Sequence, residues 1–322
     1  MVVDLHVDIP WQVHFKRRHR SLTEGQARKA ALTEGGYGGI VFPIYLPDKA
    51  HPDGAHIEDA DAVFETITGI IAENPVFLPL LSPAAQPGRI STFLAIEGAG
   101  AFAADITQID RFIARGLRLV SPVHAANGPL SASATGAPVE YGLTPLGQAF
   151  CERVYDKGAL IDVSHVSDHA FADIAAIARS HGAPIVATHS NARAVADQPR
   201  NLTDDELRAI AASGGVAGLN LHAPFVSGRN DATLDEVLRQ VEHMVRVAGV
   251  SHVALGSDFD GGIRPVAGLD DATALPALAA ALRARGMRYD EVLAIFSLNA
   301  LRVLGFRPPP QPTEAPYNTA KP

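Results

Sequence analysis

The chain has 322 residues, a length ordinary for one α/β barrel, and 47% of them are apolar, which is enough to bury a large core. The net charge is −8 and no basic patch occurs, which argues against a nucleic-acid partner. No apolar run has the length of a membrane span, and no signal peptide is visible at the start. We therefore expect a cytoplasmic protein without a membrane partner.

Short apolar segments recur along the chain, each bounded by glycine, proline or polar residues, and predict eight strands. They cover residues 2–8, 39–45, 90–97, 116–123, 159–165, 184–189, 215–220 and 252–258. Apolar positions with helical spacing predict helices between and after them, at 59–72, 106–115, 144–157, 168–180, 203–212, 234–248 and 289–304. Thr144 followed by Pro145 is typical of a helix start, and Thr203 with Glu206 has the spacing of a capping box.

Apolar strands that alternate with helices are typical of a parallel sheet covered on both faces. Eight such units predict one (β/α)₈ TIM barrel over residues 1–307, with a doubly wound open sheet as the alternative. Residues 308–322 are rich in proline and predict a tail outside the barrel. The single cysteine, Cys151, excludes an internal disulfide and is expected to be a buried, unreactive residue of the 144–157 helix.

In such a barrel, functional residues collect at the carboxyl ends of the strands. Side chains able to bind a metal or transfer a proton fall there in unusual number. They are His6, Asp8, Glu97, His124, His165, His189 and Asp258. Structural polar residues scattered along a chain would not be expected to gather at one rim, so the pattern predicts a catalytic metal centre.

His6 and Asp8 lie two residues apart, so both side chains point to the same side of the first strand and can reach one metal. Imidazole and carboxylate ligands suit Zn²⁺, Mn²⁺ or another borderline divalent cation. Taken alone, such a pair is more often a hydrogen-bonded strand end. Its interpretation as a metal site depends on the matching groups that end the other strands.

The remaining groups favour a second cation. Glu97 can bridge two ions, and His165 and His189, which end adjacent strands, can form a second position. Taken alone, Glu97 would be interpreted as a solvated carboxylate at a strand end, and each histidine as a buried structural side chain. Asp258 fits a base that takes a proton from the attacking water and returns it to a leaving amine, or a group that hydrogen-bonds a metal ligand. Asp260 is expected to point elsewhere and fix the turn.

Together these segments resemble the renal dipeptidase, or membrane dipeptidase, family of zinc metallopeptidases (family M19), as a bacterial-type member. The resemblance runs from Asp4 to about Arg302 in the family's order. The matching stretches are 4–10, 97–98, 118–124, 162–167, 189–195, 199–205, 256–261 and 299–303. It implies a barrel of the metallo-dependent hydrolase type with two zinc ions.

By this resemblance, His6 and Asp8 bind one zinc, His165 and His189 bind the other, and Glu97 bridges them. His124 would contact the substrate carbonyl and stabilise the oxyanion. Arg200 would bind the terminal carboxylate of the substrate, a task suited to a guanidinium group. The implied reaction is hydrolysis of a dipeptide into two amino acids, with Asp258 relaying the proton.

Three positions depart from the family pattern. Val7 replaces an asparagine between the first two ligands, and Ala99 follows Gly98 where a second glycine is frequent. After the seventh strand, His222 stands where an aromatic residue, often tyrosine, lies near the substrate. We therefore expect His222 to contact the substrate, and the departure leaves the side-chain preference open.

Three functions follow as hypotheses. The first is a zinc dipeptidase that acts on L-Xaa-L-Xaa or L-Xaa-D-Xaa. The second is a related amidohydrolase acting on another amide or lactone, with Arg200 favouring a substrate that bears a carboxylate. The third is an inactive metal-binding barrel that serves as a binding or scaffold protein. The sequence leaves open which divalent cation is used in the cell, and also the oligomeric state, a homodimer included.

Overall fold

A computed structural model describes residues 1–82 and 84–305, and these contain eight parallel strands. The strands are β1 (Val2–Asp4), β2 (Tyr37–Tyr45), β3 (Ser91–Glu97), β4 (Leu117–Ser121), β5 (Leu160–Ile161), β6 (Val186–Ala187), β7 (Val216–Leu219) and β8 (Val253–Leu255). Ladders join them in the order β5-β4-β3-β2-β1-β8-β7-β6. A single bridge between Asp162 and Val186 brings the two ends of the sheet together. The predicted TIM barrel is confirmed; the predicted tail, 308–322, lies outside the described residues.

Most helices cover the outside of the barrel, and a few short ones lie at its two ends. They are α1 (Ile9–His14), α2 (Lys29–Glu34), α3 (Ile57–Glu73), α4 (Ile109–Ala114), α5 (Pro145–Asp156), α6 (Asp168–His181), α7 (Asp204–Ala212), α8 (Ala223–Ser227), α9 (Leu234–Ala248), α10 (Leu275–Ala284), α11 (Tyr289–Leu293) and α12 (Asn299–Val303). Short 3₁₀ segments cover Ala99–Ala104, Ile106–Gln108, Val250–His252 and Ala272–Ala274, and a π-helical turn covers Ala294–Leu298. Within the described residues, none of the helices has the length and apolarity needed to cross a lipid bilayer.

Most predicted helices are confirmed to within a few residues. The two predicted helix-capping residues, Thr144 and Thr203, are confirmed as well. Thr144 accepts a hydrogen bond from the amide of Gly147 at 3.0 Å, and Thr203 forms the capping box with Glu206. The predicted 106–115 helix begins as a 3₁₀ segment, and the π-helical turn interrupts the predicted 289–304 helix. Helices α1, α2, α8 and α10 were not predicted, although a proline in the first turn of three of them is a usable signal.

Most strands are shorter than predicted because their last residues bond to loops and side chains rather than to a neighbouring strand. Strand β1 ends at Asp4, and the chain then runs past His6 to Asp8, whose amide donates to the carbonyl of Phe259 at 2.8 Å. Strands β5 and β6 contain two residues each. His165 and His189 therefore stand beyond the ladder, in the mouth of the barrel.

The inside of the barrel is filled with apolar side chains below that mouth. Val3, Leu5, Val41, Phe93 and Leu119 belong to one buried cluster, together with Ala300, Leu301 and Leu304 from the end of the described chain. Asn299, at the start of α12, donates hydrogen bonds to the carbonyls of Val250 and Val253. Because these carbonyls lie at the start of β8 and in the 3₁₀ segment just before it, α12 closes the end of the barrel opposite the mouth.

Cys151 lies in α5 and is fully buried, as predicted. Burial raises the pKa of its thiol well above the usual range, and a thiol rather than a thiolate is a poor nucleophile. We expect a disulfide exchange reagent such as dithionitrobenzoate to leave the folded protein unlabelled at neutral pH and to label one thiol per chain in denaturant. Rapid labelling of the native protein would contradict this placement.

Candidate metal centre

The side chains predicted as metal ligands converge at the mouth of the barrel around one oxygen of Glu97, the last residue of β3. The distance from Glu97 Oε1 to the Nε2 atom is 2.8 Å for His165, 3.5 Å for His6 and 3.7 Å for His189. Asp8 Oδ2 lies 3.3 Å from His6 Nε2. Four separate strand ends thus bring nitrogen and oxygen donors within reach of shared cations.

These donors are buried, and several lack partners. His6 is 1% exposed, and within the described part of the chain its Nδ1 has no hydrogen-bond partner and its Nε2 has no well-aligned one. Nδ1 of His165 is likewise buried without one. Buried polar atoms are nearly always hydrogen-bonded in folded proteins. Imidazole nitrogens in such surroundings fit a divalent cation, which they bind through the ring lone pair.

The protonation states of these candidate donors also fit the binding of a cation. Burial, followed by neighbouring cationic side chains, lowers the pKa of His165 and His189 well below the usual value, so both rings are neutral. Burial also lowers the pKa of His6, but the carboxylates of Glu97 and Asp8 outweigh burial and raise it to about 10. A divalent metal ion can take the place of such a proton, because metals bind neutral imidazole and ionised carboxylate.

The donors form three overlapping sets, and within each set the ligand atoms lie within 4.8 Å of one another. The sets are His6 with Glu97 and His189, Glu97 with His124 and His165, and His6 with Asp8 and Asp258. Mixed imidazole and carboxylate donors suit Zn²⁺ or Mn²⁺. Because Glu97 belongs to two of the sets, its carboxylate is suited to touch more than one cation.

Asp258 lies beside this cluster in an unusual backbone conformation. Its φ of 64° is in the left-handed region, which non-glycine residues seldom adopt outside turns and functional sites. Asn220 Nδ2 donates a hydrogen bond to Asp258 Oδ2 at 3.0 Å. Burial, and then the charge of Asp8, raises the pKa of Asp258 to about 7. A carboxyl group with a pKa near neutrality can both accept and return a proton.

Asp260 faces away from the cluster and fixes the turn, as predicted. Its carboxylate accepts hydrogen bonds from the backbone amides of Gln26 and Ala27 at 3.0 and 3.2 Å. It also pairs with Arg18 at 2.9 Å. The loop before α2 is thereby tied to the loop that carries Asp258.

His124 stands at the rim, with its ring centroid 4.4 Å from that of His165. Its Nδ1 atom is 3.8 Å from Asp48 Oδ2, and the Asp48 carboxylate accepts hydrogen bonds from the amides of Ala125 and Ala126. Burial lowers the pKa of His124, but Asp48 and other carboxylates outweigh burial and raise it. Sequence reasoning missed Asp48, whose only signal is a position three residues beyond the end of β2.

Arg200 is 6% exposed, yet the described residues place no carboxylate within salt-bridge distance of its guanidinium. The group lies 3.2 Å from His165 Nε2 and 3.4 Å from Ser190 Oγ, and it faces the ring of Phe225. Burial lowers the pKa of the guanidinium. A buried cation without an anionic partner is costly, so this position is suited to an anionic ligand.

His222 precedes α8 and presents a neutral ring to the same space. Its Nδ1 atom accepts a hydrogen bond from the amide of Arg264 at 2.9 Å, so the ring proton is on Nε2. Burial, and then Arg264, lowers the pKa of His222 to about 4. Its ring packs edge-on against Phe225 at 4.7 Å, which puts His222 and Arg200 on the same aromatic side chain.

A cavity of about 320 Å³ opens above these groups. Its lining includes predicted residues: Asp8, Glu97, His124, His165, His189, Arg200, His222 and Asp258. It also includes residues that sequence reasoning missed, among them Trp11, Tyr45, Thr135, Phe225 and Ile263. Tyr45 ends β2 and could have been found by the strand-end rule, whereas the others lie in loops or short helices. The volume fits a small ligand rather than a polypeptide.

Comparison with known proteins assigns the family. The membrane dipeptidase (peptidase family M19) model matches residues 1–306. An uncharacterised protein in the pqqA 5′ region of Klebsiella pneumoniae is 41% identical, over 65% of this chain and 79% of its own length. The dipeptidase verJ of Clonostachys rogersoniana is 27% identical, over 94% of this chain and 83% of its own. A metallopeptidase of Rhodobacter sphaeroides, solved with a phosphinate mimic of the dipeptide L-Ala-D-Ala, is 27% identical, with a TM-score of 0.84 over 94% of this chain and 98% of its own. The chain belongs to the membrane dipeptidase family of metallopeptidases.

Proposed function

We propose that the chain is a zinc-dependent dipeptidase with two metal ions in its centre. In this proposal, His6 and Asp8 bind one ion, His165 and His189 bind the other, and Glu97 bridges them. The observation that carries the proposal is the convergence of buried donors on Glu97 Oε1, beside a buried guanidinium without a carboxylate partner among the described residues.

Zinc ions held by these ligands would polarise the scissile carbonyl and lower the pKa of a water molecule towards neutrality. Side chains of the protein would transfer the proton and stabilise the negative charge that develops on the oxyanion. Asp258, with a pKa near 7, would accept a proton from the attacking water and return it to the leaving amine. The raised pKa of His124 favours the protonated ring, which would donate a hydrogen bond to the oxyanion.

Arg200 and His222 would hold the carboxyl-terminal residue of the substrate. A guanidinium binds a carboxylate through two parallel hydrogen bonds, and Nε2–H of His222 can donate a further one. Substrates would be L-Xaa-L-Xaa or L-Xaa-D-Xaa dipeptides. The Rhodobacter relative, solved with a mimic of L-Ala-D-Ala, supports a D-residue at the carboxyl end.

A panel of L,L and L,D dipeptides, offered to the zinc-loaded protein, tests this proposal. We expect hydrolysis of free dipeptides and much weaker hydrolysis of the same dipeptides amidated at the carboxyl end, because Arg200 would face a neutral group. Full zinc occupancy without turnover of any dipeptide would favour the inactive metal-binding barrel. Turnover confined to other carboxylate-bearing amides would favour the related amidohydrolase.

Asp48 is expected to support His124. Asp48→Asn should lower kcat for dipeptides about fivefold, which corresponds to about 1 kcal/mol for a partly exposed ion pair, and should leave KM nearly unchanged. Asp53→Asn is the matched control, because Asp53 pairs with the exposed His56 at 2.9 Å in the loop after β2. Steady-state kinetics of both variants make the test; equal kcat in Asp48→Asn and the parent would remove Asp48 from the mechanism.

The cytoplasmic location, the homodimer and the division between a barrel over 1–307 and a tail over 308–322 stay predictions. Fractionation of cells that express the chain tests the first, and light scattering of the purified protein tests the second. Deletion of 308–322 with retained hydrolysis of dipeptides would support the third.

A further inference from the structure

Asp162 is a buried carboxylate that the mechanism above does not use. It is 2% exposed and lies directly after β5, at the junction of β5 and β6, which a single bridge joins instead of a ladder. Its Oδ1 atom accepts hydrogen bonds from the amides of Ser164 and Thr188, both at 3.0 Å, and from the Ser164 hydroxyl at 2.6 Å. Its Oδ2 atom accepts one from the Thr188 hydroxyl at 2.6 Å.

These bonds join the two chain segments that carry His165 and His189. Ser164 and Thr188 each immediately precede one of these histidines, and their amides point to Asp162 instead of to a neighbouring strand. The Ser164 hydroxyl also accepts a hydrogen bond from the amide of His189 at 3.1 Å. The Asp162 carboxylate therefore joins β5 and β6 where a ladder is missing. It thereby fixes the distance between the segment that carries His165 and the segment that carries His189.

The Asp162 carboxylate also determines, through Thr188, which ring nitrogen of His189 carries a proton. The Thr188 hydroxyl lies 2.6 Å from Asp162 Oδ2 and 2.7 Å from His189 Nδ1. A carboxylate only accepts hydrogen bonds, so Thr188 must donate its single proton to Asp162. The hydroxyl oxygen can then only accept from His189, which requires a proton on Nδ1 and leaves the lone pair of Nε2 facing Glu97 and His165.

We propose that Asp162 and Thr188 are positioning residues that hold His189 in the metal-binding tautomer through the chain Asp162–Thr188–His189. This inference rests on the proposed function, in which His189 Nε2 binds a metal. Hydrogen bonds from the far nitrogen of a ligating histidine fix the ring and its tautomer, and loss of such a partner weakens metal affinity about 10- to 100-fold.

Thr188→Val tests the chain of hydrogen bonds, because valine keeps the shape of threonine and removes only the hydroxyl. Metal-stripped protein is titrated with Zn²⁺ alone, and the two binding constants are measured by calorimetry against a competing chelator. We expect Thr188→Val to bind one of two ions about 10- to 100-fold more weakly and Thr188→Ser to recover most of that affinity. Thr66→Val is the matched control, because the Thr66 hydroxyl lies 2.8 Å from Nδ1 of His14, outside the site.

Two outcomes separate this inference from the proposed function. A parent protein that binds fewer than two ions contradicts the two-metal centre itself, whereas a parent and a Thr188→Val variant that bind two ions with equal constants overturn the positioning role alone. Nitrogen-15 NMR of the metal-free parent measures the tautomer of His189 directly and does not depend on a variant that folds. A proton on Nδ1 of His189 is the expected result, and a proton on Nε2 overturns the inference.

Discussion

Asp258→Asn should lower kcat for dipeptide hydrolysis about 10²- to 10⁴-fold, because asparagine cannot take the proton from the attacking water. The substitution is nearly isosteric, and asparagine tolerates the left-handed conformation that this position adopts. The hydrogen bond from Asn220 can still be accepted by the amide oxygen. Steady-state kinetics with a free dipeptide, together with zinc content, measure the effect at constant metal occupancy.

Asp260→Asn is the control for that prediction. Asp260 has a similar left-handed backbone, with a φ of 66°, and lies in the same loop, but its carboxylate bonds to Arg18 and to backbone amides outside the cavity. We expect this variant to lose about 1–3 kcal/mol of stability and to keep most of its kcat. A kcat near that of the parent in Asp258→Asn would contradict the role of Asp258 as the base.

Arg200→Met should raise KM for free dipeptides about 30-fold or more, because removing one partner of a buried charge pair costs about 2 kcal/mol or more. Methionine retains the apolar contact with Phe225 and removes the charge. The measurement compares a free dipeptide with the same dipeptide amidated at its carboxyl end. The parent should discriminate strongly between the two substrates, and the variant should not.

The comparison of the free and the amidated dipeptide also distinguishes a loss of carboxylate binding from a loss of folded protein. A variant that is merely destabilised would lose activity on both substrates in proportion. Arg200→Lys offers a second measurement, because lysine keeps the charge without the two-pronged geometry, and it should fall between the parent and Arg200→Met. An unchanged KM in Arg200→Met would contradict the carboxylate-binding role.

The eight strands were predictable because a parallel barrel needs continuous apolar segments, and its functional groups can only collect where those segments end. That rule predicts His6, Glu97 and His189 on one rim, and in the fold both histidines lie within 3.7 Å of the Glu97 carboxylate. Arg200 could not be found in this way, since it lies in a loop, and only the family resemblance indicated it.

Other features of the fold and the site depend on tertiary contacts, which the periodic spacing of apolar residues does not predict. The short β5 and β6 follow from amides that bond to Asp162, and a side chain that competes with a ladder cannot be recognised from apolar spacing. Asp48 lies near His124 only because two loops from different strands meet. Loops of this kind carry the specificity of a barrel and are the least regular part of its sequence.

In the function proposed above, two metal ions held around Glu97 enable this chain to hydrolyse dipeptides. The most direct test of this function is the rate of dipeptide hydrolysis by metal-stripped protein as zinc is returned stepwise, with bound zinc counted in the same samples. We expect no hydrolysis without metal, full activity at two zinc ions per chain, and loss of both tight binding and activity in Glu97→Gln. Undiminished hydrolysis by the metal-free protein, or by Glu97→Gln, would contradict it.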